Sequence, residues 1–133
     1  MAGLAEAMVC GVVRAESYER AKKFYSEALG LKLAQEFPGP GGGGMFAAGG
    51  GTMLMVYENP GLKAPENTTL GFGVSADKFD ALIGELRGKG VKLEDYDIPE
   101  MGLKTTNGVA EVDGQKSAWF KDSEGNILNI IVM

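Results

Sequence analysis

The sequence has no histidine and only one cysteine, Cys10, among its 133 residues. A single cysteine forms no disulfide within the chain, and a structural zinc site needs several cysteine or histidine ligands. Disulfide-rich and zinc-stabilised scaffolds are therefore excluded. Low cysteine use is typical of a reducing compartment, so we expect a cytoplasmic protein.

Positive charge and long apolar runs are also scarce. The chain has 13 lysines and arginines against 18 acidic residues, a formal net charge of −5, which opposes binding to nucleic acids and anionic membranes. No apolar stretch approaches the ~20 residues that a membrane span requires. Residues 1–13 contain Glu6 but no basic residue, unlike a secretory signal. We expect neither nucleic acid nor a membrane as a partner, and instead a small organic ligand.

The length fits one compact domain spanning residues 1–133. Two amphipathic helical segments in it align without a gap: residues 17–33 (SYERAKKFYSEALGLKL) and residues 77–93 (DKFDALIGELRGKGVKL). Ser17 and Asp77 are the predicted N-caps, and Gly30 and Gly90 are predicted left-handed residues at the helix ends. The alignment predicts an internal repeat, with two unrelated amphipathic helices as the other interpretation.

Alternating apolar residues and turn dipeptides predict strands around both helices. In the first half these strands are residues 8–13, 31–37, 45–48 and 52–57, and in the second half residues 69–75, 91–96, 117–121 and 127–132. A further short strand is predicted at residues 109–112, between two hairpin dipeptides. Each half is thus a βαβββ module: module one covers about residues 8–58, a linker about 59–67, and module two about 68–133.

Two segments carry a family likeness, AKKFYSEALGLKL at residues 21–33 and WFKDSEGNIL at residues 119–128. Together with the tandem βαβββ pattern they resemble the vicinal oxygen chelate superfamily, which includes glyoxalases, bleomycin resistance proteins and ring-cleaving dioxygenases. The resemblance implies an α+β fold whose tandem modules form a curved mixed-sheet cup. It also implies a homodimer, because the family commonly completes its cups by pairing halves of two chains.

The resemblance further implies four cup-facing positions at which metal-dependent relatives place histidine, glutamine or glutamate. These positions fall at Cys10, Met55, Thr69 and Asn129, and Leu70 replaces Thr69 if the strand register shifts by one residue. A thiol, a thioether, a hydroxyl and an amide do not form the oxygen- and nitrogen-rich shell of a hard or borderline divalent ion. We therefore expect neither a metal nor another cofactor.

Individual side chains of the predicted cup permit two interpretations each. Asn129 is a polar residue in the apolar strand 127–132 and needs a hydrogen-bond partner, either a ligand or a neighbouring strand. Trp119 alternates with a helix-facing Phe120, so its ring serves either an aromatic or cationic ligand or the core. Cys10 has no base nearby and is predicted to be a small buried hydrophobe rather than a nucleophile.

Two loops complete the candidate features. Residues 39–44 are rich in glycine but lack the lysine of a phosphate loop, so a flexible hairpin is predicted there. Residues 96–106 carry Tyr96, Glu100 and Lys104, which could reach a ligand across the mouth of the cup.

The leading hypothesis is a metal-independent binding protein, with drug or metabolite sequestration as one version. Its predicted cup holds a small organic molecule and is lined by Cys10, Met55, Tyr57, Thr69, Trp119 and Asn129. The alternatives are a glyoxalase- or dioxygenase-like enzyme with a non-standard site and an interaction module with a vestigial pocket. Ordinary glyoxalase chemistry is disfavoured because it needs a Lewis acid for the developing enediolate.

Overall fold

The computed structural model describes residues 3–133. They divide into two compact units: the first ends at Leu62 and the second is Lys63–Met133, so the boundary lies inside the predicted linker. Each unit contains one four-stranded mixed sheet and one main helix, which confirms the α+β class. Within residues 3–133, no helix is long and apolar enough to cross a membrane.

The first unit follows the order strand, helix and three strands. Its elements are β1 (Gly11–Ala15), α1 (Tyr18–Lys23), a π-helical turn that continues α1 (Phe24–Ala28), β2 (Lys32–Phe37), β3 (Gly43–Ala47) and β4 (Met53–Glu58). The strands lie in the order β1-β4-β3-β2, and β1 runs parallel to β4 while the other neighbours are antiparallel. The helix packs on β4. The core of the unit consists of Val13, Ala15, Ala21, Tyr25, Phe46, Leu54 and Val56.

The second unit has the same plan with an insertion after its helix. Its elements are β5 (Thr68–Val74), α2 (Ala76–Gly88), β6 (Asp97–Ile98), β7 (Leu103–Lys104), β8 (Val109–Val112), β9 (Gln115–Lys121) and β10 (Ile127–Val132). The main sheet has the order β5-β10-β9-β8, with β5 parallel to β10, and β6 and β7 form a separate hairpin. The helix packs on β9. Core residues include Phe79, Ile83, Leu86, Ala118, Phe120, Leu128 and Ile130.

Three of the four predicted helix ends are confirmed. The hydroxyl of Ser17 caps α1 by accepting a hydrogen bond from the backbone N–H of Arg20 at 3.3 Å. Gly30 and Gly90 adopt φ values of 72° and 86°, a left-handed conformation that glycine reaches without a steric penalty.

The predicted N-cap at Asp77 is wrong. Helix α2 begins at Ala76, its N-cap is Ser75, and Asp77 lies in the first turn. There the Ser75 hydroxyl donates a hydrogen bond to the Asp77 carboxylate, which lowers the pKa of Asp77. A negative charge at this end also suits the helix dipole. The gapless alignment of the two helices therefore fails at its start, because α2 is the longer helix.

Two predicted strands also need correction. The first strand begins at Gly11 rather than at residue 8, because its ladder with β4 runs only from Gly11, opposite Leu54, to Ala15, opposite Glu58. Residues 91–96 form no strand, and only Leu93 makes a bridge to the main sheet, opposite Phe120.

A buried turn joins β9 to β10 within the segment that carried the family likeness. The carboxylate of Asp122 accepts hydrogen bonds from the backbone N–H groups of Glu124 and Asn126, at 2.8 and 2.9 Å, and from the Asn126 side-chain amide at 2.8 Å. Gly125 supplies a φ of 87°. With this turn closed, Ile127 pairs with Lys121 and the antiparallel register of the two strands follows.

Part of the glycine-rich segment lies inside the first sheet rather than in a flexible hairpin. Gly43 and Gly44 are buried residues of β3. A methyl group at Gly43 would lie 2.7 Å from the Tyr57 Cα atom and 2.8 Å from the Val56 carbonyl carbon, closer than packed atoms approach. Gly43 is therefore required by the close approach of β3 and β4.

Two alanine substitutions should have opposite effects. Gly43→Ala is expected to lower the free energy of unfolding by about 1–3 kcal/mol, because the new methyl group overlaps the β4 backbone. Gly84→Ala, at an exposed site of α2 with no atom within 4 Å, is expected to raise it by about 1 kcal/mol. Urea unfolding of both variants measures the two values, and an unchanged Gly43→Ala protein would contradict the packing of β3 on β4.

Candidate ligand-binding site

The face of each sheet that lies opposite its helix is called here the open face. On β4 the buried Leu54 and Val56 point to the helix, so Met53, Met55 and Tyr57 project to the open face of the first unit. On β10 the buried Leu128 and Ile130 point to the helix, and the residues between them project to the open face of the second unit. The alternation of the strands thus separates core residues from candidate ligand contacts.

Trp119 and Asn129 are direct cross-strand partners on the open face of the second unit. Phe120, the neighbour of Trp119, is only 1% exposed and belongs to the core, whereas Trp119 itself is half-buried on the other face. The register therefore places an aromatic surface beside a side-chain amide.

Three side chains form an aromatic corner, defined as Trp119, Tyr96 and Thr68. The indole N–H of Trp119 donates a hydrogen bond to the Thr68 hydroxyl at 3.1 Å. The rings of Tyr96 and Trp119 meet edge to face, with centroids 5.9 Å apart and an interplanar angle of 82°. Such a pair contributes about 0.5–1.5 kcal/mol beyond its area burial. The indole is thus held by Thr68 at its N–H group and by Tyr96 through the ring contact. The rest of the ring surface is left for a ligand.

Asn129 lies over a strand position that has no side chain. Its β5 neighbour is Gly71, and a methyl group at Gly71 would come 2.5 Å from the Asn129 Oδ1 atom. Gly71 therefore makes the room that the amide occupies. Within residues 3–133 the Asn129 side chain has no hydrogen-bond partner. An amide placed in this way has both its donor and its acceptor available to a bound molecule.

The loop that carries Tyr96 is held by Asp95. One carboxylate oxygen of Asp95 accepts hydrogen bonds from the Thr105 hydroxyl and from the Gly108 backbone N–H, both at 2.8 Å. These two bonds lower the pKa of Asp95, the Thr105 bond most, and the nearby Arg87 charge acts in the same direction. Burial, and after it the Glu94 charge, raises the pKa of Tyr96 above its ordinary value.

The predicted site residues are divided between the two units. Met55 and Tyr57 lie on the open face of the first unit, and Trp119 and Asn129 lie on that of the second. The prediction that Cys10 is a buried hydrophobe is wrong, because its thiol is exposed just before β1.

Thr69 lies at an irregularity in the pairing of β5 with β10. Ile127 pairs with Thr68 and Leu128 with Leu70, so Thr69 has no direct partner. Its hydroxyl contacts the Asn67 carbonyl oxygen at 3.4 Å. Leu70 is the partner of Leu128, a core residue, and therefore lies on the helix side of the sheet.

Sequence reasoning missed several side chains of the open faces, among them Thr68 and Arg14. Arg14 lies on β1 between the buried Val13 and Ala15, as the partner of Tyr57, so it projects to the open face of the first unit. Strand alternation in the run GVVRA would have predicted the position of Arg14, since a charged residue between two apolar ones is expected to face away from the core. Thr68 gives no such signal, because only the bulge in β5 turns it toward Trp119.

A metal site of the kind that the family resemblance implies does not fit these residues. Among the described residues, no group of three histidine, cysteine, aspartate or glutamate side chains is arranged to hold a metal ion. The four positions predicted from the resemblance, Cys10, Met55, Thr69 and Asn129, supply a thiol, a thioether, a hydroxyl and an amide, which hard and borderline divalent ions do not prefer.

A cleft of about 400 Å³ lies between α1 and the loop joining β2 and β3. Two of its lining side chains are joined, because the Tyr18 hydroxyl donates a hydrogen bond to Glu36 at 2.8 Å. The Lys22 ammonium lies 2.8 Å from the same carboxylate oxygen. Burial and the contact with Glu36 raise the pKa of Tyr18, whereas Lys22 and Tyr18 lower that of Glu36. This network joins the helix to β2 and serves the fold.

Comparison with known proteins identifies the family. The family model described as the Glyoxalase/Bleomycin resistance protein/Dioxygenase superfamily matches residues 7–130. The chain belongs to this superfamily. The resemblance noted in the sequence is confirmed, and no curated protein sequence matches the chain.

Solved structures of the superfamily share the fold at low sequence identity. A glyoxalase family protein from Enterococcus faecalis is 20% identical, with a TM-score of 0.70 over 95% of this chain and 97% of its own. Lactoylglutathione lyase from Agrobacterium tumefaciens is 16% identical, with a TM-score of 0.65 over 96% and 93%. A mutant of the fosfomycin resistance protein FosX from Listeria monocytogenes, complexed with Mn(II), is 12% identical, with a TM-score of 0.65 over 94% and 89%. These likenesses show the fold alone.

The support that Asp95 gives to the Tyr96 loop should depend on pH. Its pKa is lowered on folding, so the stabilisation is present above the ordinary aspartate pKa of about 3.9 and is lost as the pH falls through the lower folded value. The stability advantage of the parent protein over Asp95→Asn should therefore shrink below about pH 4. Urea unfolding of both proteins across this range measures it, and a difference that stays constant with pH would contradict the assignment.

Proposed function

We propose that this superfamily member is a small-molecule-binding protein that holds its ligand without a divalent metal. The observation that carries the proposal is the open face of the second unit, where the aromatic corner adjoins the Asn129 amide. Binding needs only such a shaped, largely apolar surface with a few oriented polar groups.

The side chains also indicate the chemistry of the ligand. The Trp119 indole N–H is already bonded to Thr68, so the ligand meets the ring surface rather than a polar edge. The Asn129 amide offers a donor and an acceptor in one plane. A flat organic molecule with a carboxamide, lactam or similar donor–acceptor group satisfies both. Sequestration of a drug or metabolite is the role that this chemistry supports best.

Metal independence predicts the composition of the purified protein. It should contain no stoichiometric Zn, Ni, Mn or Fe, and a chelator should leave its melting curve unchanged, because no bound ion stabilises the folded state. Elemental analysis and thermal denaturation with and without chelator make the check. A tightly bound equivalent of any of the four metals would overturn the proposal.

The single tryptophan, Trp119, provides a direct reporter of ligand binding. In a screen of flat carboxamides and lactams run with chelator, a true ligand should change the tryptophan emission and raise the melting temperature. At about 100 times Kd it adds roughly 2.7 kcal/mol to the free energy of unfolding.

Two matched threonine variants separate site effects from general effects. Thr68→Val removes the hydroxyl that holds the indole and should weaken binding of such a ligand. Thr52→Val removes a hydroxyl that bonds the Gly49 carbonyl in a turn of the first unit and should leave binding unchanged. Equal losses in both variants would place the ligand elsewhere.

We further propose that the protein acts as a cytoplasmic homodimer. Large apolar side chains are exposed at and before β1, an outer strand of its sheet. The exposed fractions are 91% for Leu4, 79% for Met8, 87% for Val9 and 54% for Val12. Exposed apolar edges of this kind favour association with a second copy. Light scattering at micromolar concentration should give the mass of a dimer, and a monomer mass would contradict this part of the proposal.

A further inference from the structure

A cluster of thioether side chains lies on the open face of the first unit. Met45 on β3 and Met55 on β4 are direct cross-strand partners, and Met53 lies two residues before Met55 on the same strand. All three are half-buried and alternate with core residues of their strands, Phe46 at 0% and Leu54 at 2% exposure. The three thioethers therefore project to one side of the sheet.

The strand register brings these side chains within reach of one another. Directly opposite residues of an antiparallel pair, such as Met45 and Met55, have Cβ atoms about 4.5–5.5 Å apart. Diagonal neighbours such as Met45 and Met53 are separated by about 7–8 Å. Methionine is unbranched and has three rotatable bonds, so the three sulfur atoms can converge on one point above β3 and β4.

A fourth sulfur atom, that of Cys10, lies one residue before the strand that pairs with β4. Cys10 directly precedes Gly11, the first residue of β1, and Gly11 pairs with Leu54, the chain neighbour of Met53. The thiol of Cys10 is exposed and open to an ion from solution. A thiol that coordinates a metal ion is deprotonated by it, which adds the negative charge that three neutral thioethers lack.

We propose that this sulfur cluster, defined as Met45, Met53, Met55 and Cys10, binds a soft monovalent metal ion, Cu(I) or its redox-inert analogue Ag(I). Thioether and thiolate ligands select soft ions, whereas divalent Mg, Ca and Mn prefer oxygen ligands. Cys10 and Met55, two of the side chains that do not suit the superfamily's divalent metals, thus suit a different class of ion. The proposal is independent of the ligand function, whose residues all lie in the second unit.

Methionine methyl NMR with Ag(I) as the probe tests this site. The protein, labelled with ¹³C at its methionine methyl groups and free of thiol reductant, is titrated with Ag(I). Single Met→Leu variants, which nearly conserve side-chain volume, assign the signals. The Met45, Met53 and Met55 signals should shift together and saturate at one equivalent. Met101, 71% exposed on another segment, serves as the internal control and should not shift.

Variants distinguish Ag(I) binding by the sulfur cluster from Ag(I) binding by the Cys10 thiol alone and from unspecific Ag(I) binding by exposed methionines. The triple variant Met45→Leu, Met53→Leu and Met55→Leu should lose the bound ion, whereas Met101→Leu should keep it. Cys10→Ser should still show the three methyl shifts, at higher Ag(I) concentration.

Either of two results would overturn the proposal. One is the loss of all binding in Cys10→Ser, which would indicate a lone thiol. The other is a parallel shift of Met101 with the three cluster signals in the parent protein, which would indicate unspecific binding. Whether Met101 shifts is measured in the parent protein, so this result can be obtained even if the triple variant fails to fold.

Discussion

The candidate site depends on the register between β9 and β10, and that register depends on the hydrogen bonds of Asp122. Its carboxylate accepts hydrogen bonds from two backbone N–H groups of the connecting turn and from the Asn126 side-chain NH2 group, in a buried environment. Buried polar groups of this kind are costly to leave unpaired, at about 1–3 kcal/mol each, so alternative registers are penalised. With the turn fixed, Trp119 and Asn129 stand opposite each other on the face away from the helix.

The same alternation that builds the two cores also decides the chemistry of the open faces. On β4 it places thioethers and a phenol opposite the core residues, and on β10 it places an amide among aliphatic side chains. Such faces are mostly apolar, adaptable and poor in hard metal ligands. Their polar groups are few and oriented, which is the composition of a binding surface for organic molecules.

Much of the fold was predictable because it follows from local signals. Ser17, Gly30 and Gly90 mark helix ends through side-chain capping and left-handed backbone, and strand alternation places Trp119 and Phe120 on opposite faces. The start of α2 was misplaced, because Ser75 and Asp77 are both good capping residues and only tertiary packing selects between them.

The rest of the site depends on contacts between residues distant in sequence. The bulge that turns Thr68 toward Trp119 arises from the pairing of β5 with β10. Tyr96 contacts Trp119 because Asp95 binds Thr105 and Gly108 and so fixes the loop that carries Tyr96. The sequence of residues 91–96 contains no pattern from which these bonds could be predicted. Arg14 was accessible to sequence reasoning, since its charge requires the face opposite Val13.

The most direct test of metal-free binding is an NMR titration that follows the side-chain N–H signals of Asn129 and Trp119 in the presence of chelator. A ligand that changes the tryptophan emission is added, and the Asn129 amide signals are identified by their absence in Asn129→Leu. Metal-free binding predicts that the Asn129 amide and the Trp119 indole signals shift together and saturate with the ligand while the chelator is present. Saturation without a shift of either signal, or binding that appears only after a divalent metal is supplied, would contradict it.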